Sequence, residues 1–386
     1  MSDIAERLAK LSPEKRALLI QRLTGKRDDV GASASAQSTE TAPARPPKEW
    51  DAFCFRTGTP GNFESIKFRP LELTPPGPEQ IQIRTKAVSL NFRDLMIAMN
   101  MYPPTPGVPS IMGSDYAGEV LSCGEGVEDI KPGDEVMALS AGHFTPEGAL
   151  VEESHFCSVF NVSSRQAVRK AENISFTEAA CVPTVFLTSY YALHTVARLR
   201  RGERVLIHTA TGGVGLAALQ IARWLGAEVF ATAGSEEKRA LLRSLGVEHA
   251  LDSRTTEFAA RIMELTRGEG VDVILNTLAG EAAPKGLETL RAFGRFLQID
   301  KQDIARGAAL DLTPFKRGLS FSAIDLSLFL MQPDRLKELL LEINEHLRAE
   351  HFRPVPFTAY PVERLGAALT FMSRAKHTGK LVLTYE

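Results

Sequence analysis

A glycine cluster in the middle of the chain has the residue types and spacing to hold a phosphate group. In ERVLIHTATGGVGLAALQIARWLGAEVFATAG, Ala210, Gly212, Gly213, Val214 and Gly215 separate an apolar run from a helix-forming run. Glycine at 212 lets the backbone approach a pyrophosphate. Glycine at 215 lets the next helix pack closely on the preceding strand, and the helix N-terminus offers unbonded amides to an anion. Ala210 stands where the strict dinucleotide fingerprint has its first glycine. Glycine-rich turns are common, so the string gains meaning from its neighbours: a strand before it, a helix after it and a second strand from Glu228.

That second strand ends in Ala233, Gly234 and Ser235, with Lys238 and Arg239 just beyond and Arg254 in the DSRT segment. An NAD site normally ends this strand in a carboxylate that accepts from the ribose hydroxyls, whereas a 2′-phosphate needs neutral or basic surroundings. Ser235 can donate to a phosphate oxygen, and Lys238 and Arg254 can neutralise it, so NADPH is expected over NADH. Glu236 and Glu237 argue the other way, and the bland reading of Lys238 and Arg239 is helix solvation. Thr184 and Asn276 complete the expected cofactor contacts.

The elements that must position this loop alternate strand and helix. Strands are predicted at 204–207, 228–232, 271–276 and 295–299, and helices at 214–225, 236–245, 256–266 and 284–290. Helices of about three turns between strands require crossovers and a mostly parallel sheet. The expected fold class is therefore α/β, with a Rossmann-type cofactor domain over residues 185–330 inserted in a second, strand-rich domain. Residues 50–184 supply the first part of that second domain, through short alternating segments broken by TPPGPEQ, YPPTPGVPS and IKPGDEV, with a short helix expected near 91–100. Residues 331–386 carry the helix LKELLLEINEHLRAE and return to strand in PVPFTAYPV and GKLVLTYE.

The opening residues 1–27 read as a helical appendage, with Ser12 as N-cap and Pro13 at the first helical position, and 28–49 as a polar, proline-containing linker. A frayed tail and a docking handle are both open. With 45 Lys+Arg against 47 Asp+Glu, nothing suggests a nucleic-acid binder. Membrane-length apolar runs and a signal peptide are lacking, so a cytoplasmic location is expected. Cys54, Cys123, Cys157 and Cys181 lack the paired spacing of a structural zinc site. A homo-oligomer stays open.

NFRDLMIAMNMYP, GSDYAGEV, the cofactor segment, DSRTTEFAARI, GEGVDVILNTLAGEAAPKGLETLRAFGRFLQIDKQDI, LSFSAIDL and HTGKLVL, in that order, resemble the enoyl reductase domains of modular polyketide synthases. These form part of the quinone-oxidoreductase-like branch of the medium-chain dehydrogenase/reductase superfamily. The resemblance covers about 50–386 and implies that the strand-rich domain is GroES-like. Alcohol dehydrogenases of similar architecture use a Cys and a His-Glu pair for their metal; here NFRD and Ser114-Asp115 stand in those places, so no metal is expected.

The resemblance further implies NADPH-dependent hydride transfer to Cβ of an enoyl thioester held on the phosphopantetheine arm of an acyl carrier protein, followed by protonation at Cα. Tyr102 falls on the family position tied to α-protonation, and Lys301 and Asp325 on its two other polar catalytic positions. An ammonium beside a phenol strengthens its proton donation, and a carboxylate can orient that ammonium. Without the resemblance, Tyr102 reads as a ring packed in a proline-rich turn and Lys301 as a solvated charge. Asn91 and Arg93 are expected to shape the nicotinamide pocket or else to satisfy local backbone groups. The weakly similar LSPEKRALLIQRL suggests docking to polyketide or nonribosomal peptide synthase modules. The long polar segment 143–170 departs from the family and receives no role. Two other functions stay open: a zinc-free reductase of small enones or quinones, and a non-catalytic NADP-binding interaction protein.

Overall fold

The computed structural model describes residues 45–103, 110–140 and 142–385. The expected N-terminal helix and most of the linker lie outside them. The first unit contains strands β1 Phe53–Arg56, β2 Lys67–Pro70, β3 Gln80–Leu90, β4 Asp115–Cys123, β5 Glu135–Leu139, β6 Val159–Ser163 and β7 Ala167–Arg169. β1 and β2 form a separate antiparallel pair. β3 is the spine: it pairs antiparallel with β4 and β6, and β4 passes the ladder to β5 and then β7. The KPGDEV turn acts as its residues suggest, with Gly133 at a φ of 87° and the Lys131 amide donating to Asp134 Oδ2 at 3.0 Å. Its polar neighbour, segment 143–170, runs as turns and loop to residue 158 and then as β6 and β7, with His143 and most of 154–170 buried. His143 Nδ1 accepts from the Asn161 amide at 2.9 Å, and Asn161 Nδ2 donates to the Thr74 carbonyl at 3.0 Å, so both buried side chains find partners inside the barrel.

The cofactor unit is a six-stranded, all-parallel sheet of β8 Arg204–Ile207, β9 Glu228–Ala233, β10 His249–Asp252, β11 Val271–Asn276, β12 Leu290–Gln298 and β13 Ser320–Ala323. Their spatial order, β10-β9-β8-β11-β12-β13, reverses direction beside β8, the strand that leads into the glycine loop. In such sheets ligands bind at that reversal, beyond the C-terminal strand ends. Two strands, β10 and β13, escaped the sequence reading. Each has four residues, and neither HALD nor SFSA has the apolar run of a central strand, since both lie towards the sheet margins. β12 also starts five residues earlier than expected, at an irregular register against β11.

The chain then returns. β14 Phe357–Pro361 pairs parallel with β15 Lys380–Thr384, and β15 pairs antiparallel with the C-terminal half of β3. The return sets the last strand of the barrel beside the cofactor loop: Gly212 bridges Gly379, and the Gly379 amide donates to the Thr211 carbonyl at 2.9 Å. Gly379 has a φ of 68°, and a Cβ there would lie 1.8 Å from the Pro356 carbonyl oxygen, so only glycine fits this crossing. One apolar core fills the barrel. A second runs from the helices Phe176–Ala180 and Pro183–Tyr190 through Gly213–Trp224 to one face of the parallel sheet, and a third covers the opposite face. Among the described residues no helix is long and apolar enough to cross a membrane.

Candidate active site

β8 delivers the chain into a tight turn at the reversal point. Thr209 holds a φ of 48°, a conformation that a β-branched residue adopts only when neighbours impose it. Here Thr232 Oγ1 accepts from the Thr209 amide at 3.2 Å, and the Thr209 and Thr277 hydroxyls meet at 2.7 Å. The helix Gly213–Trp224 starts at Gly212 with no side-chain cap, leaving its first amides to an outside acceptor. A Cβ on Gly215 would lie 2.4 Å from Ala210 Cα, whereas one on Gly212 would meet only the Thr209 carbonyl oxygen, at 3.4 Å. Gly215 thus closes the helix onto the strand and Gly212 leaves an open approach, the two properties a pyrophosphate cradle needs. Val214 belongs to the first turn of that helix, and its carbonyl accepts from Ser189 Oγ at 2.9 Å.

At the end of β9, Ser235 caps the helix Glu236–Ser244, and its Oγ accepts from the Lys238 amide at 3.4 Å. The Lys238 ammonium donates to the Ala375 carbonyl at 2.9 Å, and burial followed by the nearby Arg254 charge pushes its pKa down. Arg254 lies over the strand end, its Nε 3.3 Å from where a Cβ on Gly234 would be. Two cations therefore face the same corner. The competing carboxylates are mostly committed: Glu236 pairs with Arg239 at 3.0 Å and with Arg243, and Asp252 pairs with Arg239 at 2.9 Å. Glu237 is held below the usual carboxylate range, first by the Ser235 hydroxyl, so Ser235 already has a partner. Beside this corner His377 keeps a buried Nδ1 with no hydrogen-bond partner, and burial, then Lys238 and Lys380, lower its pKa. An unsatisfied buried nitrogen among cations fits an anionic ligand, as does the open turn at Gly212.

Asn91 and Thr184 are drawn into a different cluster. Asp115 Oδ1 accepts from the Thr184 amide at 3.1 Å and its hydroxyl at 2.5 Å; Oδ2 accepts from Ser89 Oγ at 3.2 Å, Asn91 Nδ2 at 3.0 Å and Lys380 Nζ at 3.1 Å. Lys380 also donates to Asn91 Oδ1 at 2.5 Å, while Asn91 caps the short helix Phe92–Ala98 in a capping box with Asp94. The Lys380 stem runs under Gly213: a Cβ on that glycine would come within 2.9 Å of Lys380 Cδ. Sequence reasoning quoted GKLVL without giving Lys380 a task. A lysine opening an otherwise apolar strand was the available signal, because a buried ammonium demands a partner. Asn276, fully buried at the end of β11, donates to the Leu278 carbonyl and to Gln298 Oε1, both at 2.7 Å.

The three residues that the resemblance singled out converge from distant segments. Lys301 Nζ lies 2.8 Å from Tyr102 Oη, 2.6 Å from Asp325 Oδ1 and 3.2 Å from Ser327 Oγ. Ser327 braces the carboxylate, its amide and hydroxyl donating to Asp325 Oδ1 at 2.9 and 2.5 Å. Lys301 is held from behind: Gln298 Nε2 donates to the Asp300 carbonyl at 3.1 Å, and Asp300 Oδ2 accepts from the Gln302 amide at 3.1 Å. Arg93 donates to the Ile111 carbonyl at 2.6 Å and places its guanidinium 5.1 Å from the Tyr102 ring centre, so the phenol lies near two cations. Ser327 had not been singled out; a serine two residues after an aspartate gives no signal until the turn folds. The surface depressions lined by His194, Arg335 and Glu342, and by Thr256, Lys285 and Thr289, include none of these residues.

Two family models match the two units, "Alcohol dehydrogenase GroES-like domain" over residues 77–189 and "Zinc-binding dehydrogenase" over 213–340. The CurK enoyl reductase superposes with a TM-score of 0.76 at 34% identity, covering 86% of this chain and 99% of that one. The CurF ER cyclopropanase from the curacin A biosynthetic pathway superposes with a TM-score of 0.77 at 31% identity and the same coverage. The chain belongs to the polyketide-synthase enoyl reductase family. It is thus an oxidoreductase-family member of the medium-chain dehydrogenase/reductase superfamily. In sequence it is 42% identical over 327 residues to the phthioceranic/hydroxyphthioceranic acid synthase of Mycobacterium tuberculosis, which covers 84% of this chain. The chain spans only 15% of the length of that relative. Although one matching model is described as zinc-binding, the described residues of this family member contain no group of three or more His, Cys, Asp or Glu arranged to hold a metal.

Proposed function

We propose that the chain reduces the α,β double bond of an enoyl thioester presented on the phosphopantetheine arm of an acyl carrier protein, using NADPH and no zinc. In this reading residues 185–330 hold the cofactor, while 50–184 and 331–386 hold the substrate, and the protein works in the cytoplasm. The open turn at Gly212, the uncapped helix behind it, and Lys238 with Arg254 would hold the pyrophosphate and the 2′-phosphate. Bound NADPH supplies the hydride that reaches Cβ.

The observation that carries the reading is Lys301 Nζ at 2.8 Å from Tyr102 Oη and 2.6 Å from Asp325 Oδ1. Reduction at Cβ leaves negative charge on the thioester oxygen and Cα in need of a proton. The Tyr102 oxygen accepts from the ammonium, so its own O–H is directed elsewhere and can be donated. The ammonium then stabilises the phenolate left behind, while Asp325, fixed by Ser327, keeps the ammonium in place. Zinc independence is supported by the chemistry at Ser114-Asp115, since Asp115 has its oxygens committed to Lys380, Thr184, Asn91 and Ser89. The N-terminal helix, outside the described residues, is proposed as the handle for a synthase module.

The test is pre-steady-state NADPH oxidation with a butenoyl thioester on a carrier protein, on free pantetheine, and with a small quinone for comparison. Faster oxidation with the carrier-bound thioester than with either free compound is expected, in enzyme stripped with chelator. Faster turnover of the quinone, or a rate that returns only when zinc is added, would overturn the reading.

A further inference from the structure

We propose that Cys54 and Cys157 form a redox-active dithiol, a site of reversible disulfide formation that consumes hydrogen peroxide. The proposal is independent of the reductase reading and of the residues that carry it. β1 runs beside the segment that enters β6: the Phe55 amide donates to the His155 carbonyl and the Ser158 amide to the Phe53 carbonyl, both at 2.8 Å. Between these two hydrogen bonds one strand has Cys54 alone and the other has both Phe156 and Cys157, which is a β-bulge. Phe156 carries the bulge, with a φ of 47° that an aromatic residue adopts only under constraint. A bulge re-aims side chains, and here the Cys157 thiol bonds to the Cys54 sulfur. Residues opposed across antiparallel strands have Cα atoms about 4.5–5.5 Å apart, inside the range that a disulfide spans.

The surroundings distinguish the two sulfurs. Arg69 Nε, on β2, donates to Cys54 Sγ at 3.1 Å, while its Nη2 is anchored on the Glu152 carbonyl at 2.8 Å. The Cys157 hydrogen bond, and then this guanidinium, hold the Cys54 thiol below its usual range against the effect of burial. Burial, then the Cys54 sulfur, push Cys157 up, and its thiol also lies 3.2 Å from the Ser154 carbonyl. Cys54 is therefore the nucleophile and Cys157 the resolving thiol. Both side chains are buried, but the groups over Cys54 are not: Arg69 is half-buried, and the Glu153 carbonyl, 3.8 Å from the sulfur, belongs to a turn whose neighbour Glu152 is exposed. Peroxide reaches Cys54 past the Arg69 guanidinium.

In the first step the Cys54 thiolate attacks one peroxide oxygen. An S–O bond forms, the O–O bond breaks, and the departing hydroxide takes up the proton that the thiol had released, leaving a sulfenic acid and water. The Cys157 sulfur then attacks the Cys54 sulfur; the S–S bond forms, the S–O bond breaks, and the hydroxyl leaves as water with the Cys157 proton. The two sulfurs lose two electrons in all, and the peroxide gains them. The bond joins residues about 100 positions apart, so it restricts the unfolded chain and stabilises the oxidised protein.

The experiment treats the full chain with hydrogen peroxide and maps its cysteines by peptide mass spectrometry after alkylation. A Cys54–Cys157 disulfide should form ahead of any oxidation of Cys123, the most accessible of the cysteines, and vanish with dithiothreitol. The denaturation midpoint should rise on oxidation and return on reduction. Arg69→Met keeps the cover over Cys54 but removes the charge, and should slow disulfide formation by roughly fivefold or more. Cys157→Ser should stop the reaction at a Cys54 sulfenic acid that dimedone traps. Where that variant does not fold, the wild-type map and the Arg69→Met rate decide the matter. Oxidation of Cys123 with Cys54 and Cys157 left as thiols, or a pair that reacts only in the unfolded chain, would overturn the proposal, and so would an unchanged rate in Arg69→Met.

Discussion

Lys380 meets Asp115 at 3.1 Å with side chains 4% and 0% exposed; Lys301 meets Asp325 at 2.6 Å with side chains 23% and 20% exposed. Lys380 and Asp115 both belong to the barrel sheet, on β15 and β4, whereas Lys301 and Asp325 both follow strands of the parallel sheet, β12 and β13, and both pairs have hydroxyl neighbours. The difference lies in what remains available. Around Asp115 the donors are strand and helix groups of the protein itself, from Ser89, Asn91 and Thr184, so the charge is balanced inside. Around Lys301 the partners include a phenol, a group that can give up a proton, and the pair is reachable from solvent. The same two residue types thus serve as a weld in one place and, in our proposal, as part of the proton-transfer apparatus in the other.

The largest effect should come from breaking the weld. Lys380→Met leaves the Asp115 carboxylate buried without its cation, which costs about 3–5 kcal/mol, read as a lowered denaturation midpoint. Lys301→Met should cost no more than about 1 kcal/mol, because its pair is partly exposed. Equal losses in the two variants would erase the distinction. Turnover should reverse the order: Lys301→Met is expected to lower kcat by roughly 10²-fold with NADPH affinity kept. A rate near wild type would leave Lys301 as a surface charge.

A smaller effect separates the barrel from the accessible site by pH. His143 and His155 act as acceptors, from the Asn161 amide at 2.9 Å and the Met112 amide at 3.0 Å, and burial pushes both pKa values down to about 4. Unfolded histidine titrates near about 6.5. Below that value the unfolded chain takes up protons that the folded protein refuses, so stability is full above it, declines towards pH 4 and then levels. At pH 5 the loss should be on the order of 1–2 kcal/mol per imidazole. In His155→Asn, which keeps an acceptor but does not titrate, the slope of denaturation free energy between pH 7 and 5 should flatten; an unchanged slope would clear His155 of the effect. Smaller still, Lys238→Ala should weaken NADPH binding roughly tenfold in a fluorescence titration while NADH changes little. Equal weakening of both would remove Lys238 from the 2′-phosphate corner.

The same contrast explains what could be read from the sequence. The glycine loop is local: strand, turn and helix lie within one stretch, and their periodicity declares them. The helix near 91–100 was also legible, since Asn91 caps its start and Asn100, with a φ of 53°, follows its end. The Lys380–Asp115 cluster was not, because it joins positions 265 residues apart, and neither residue is unusual until the return strand crosses the loop. Tyr102 and Lys301, 199 residues apart, entered only through family resemblance. Composition and spacing alone favoured packing for one and solvation for the other. Segment 143–170 read as a departure from the family because its polarity was visible and its partners were not.

The most direct test of the central claim is Tyr102→Phe, which keeps the ring beside Arg93 and Lys301 and deletes the hydroxyl. The measurement pairs the rate of NADPH oxidation with chiral analysis of the product from an α-methyl enoyl thioester. If the triad delivers the Cα proton, NADPH affinity will hold, and either turnover will fall by roughly 10²-fold or the configuration at Cα will change as another donor takes over. Unchanged rate together with unchanged configuration would contradict the account and return Tyr102 to a packing role.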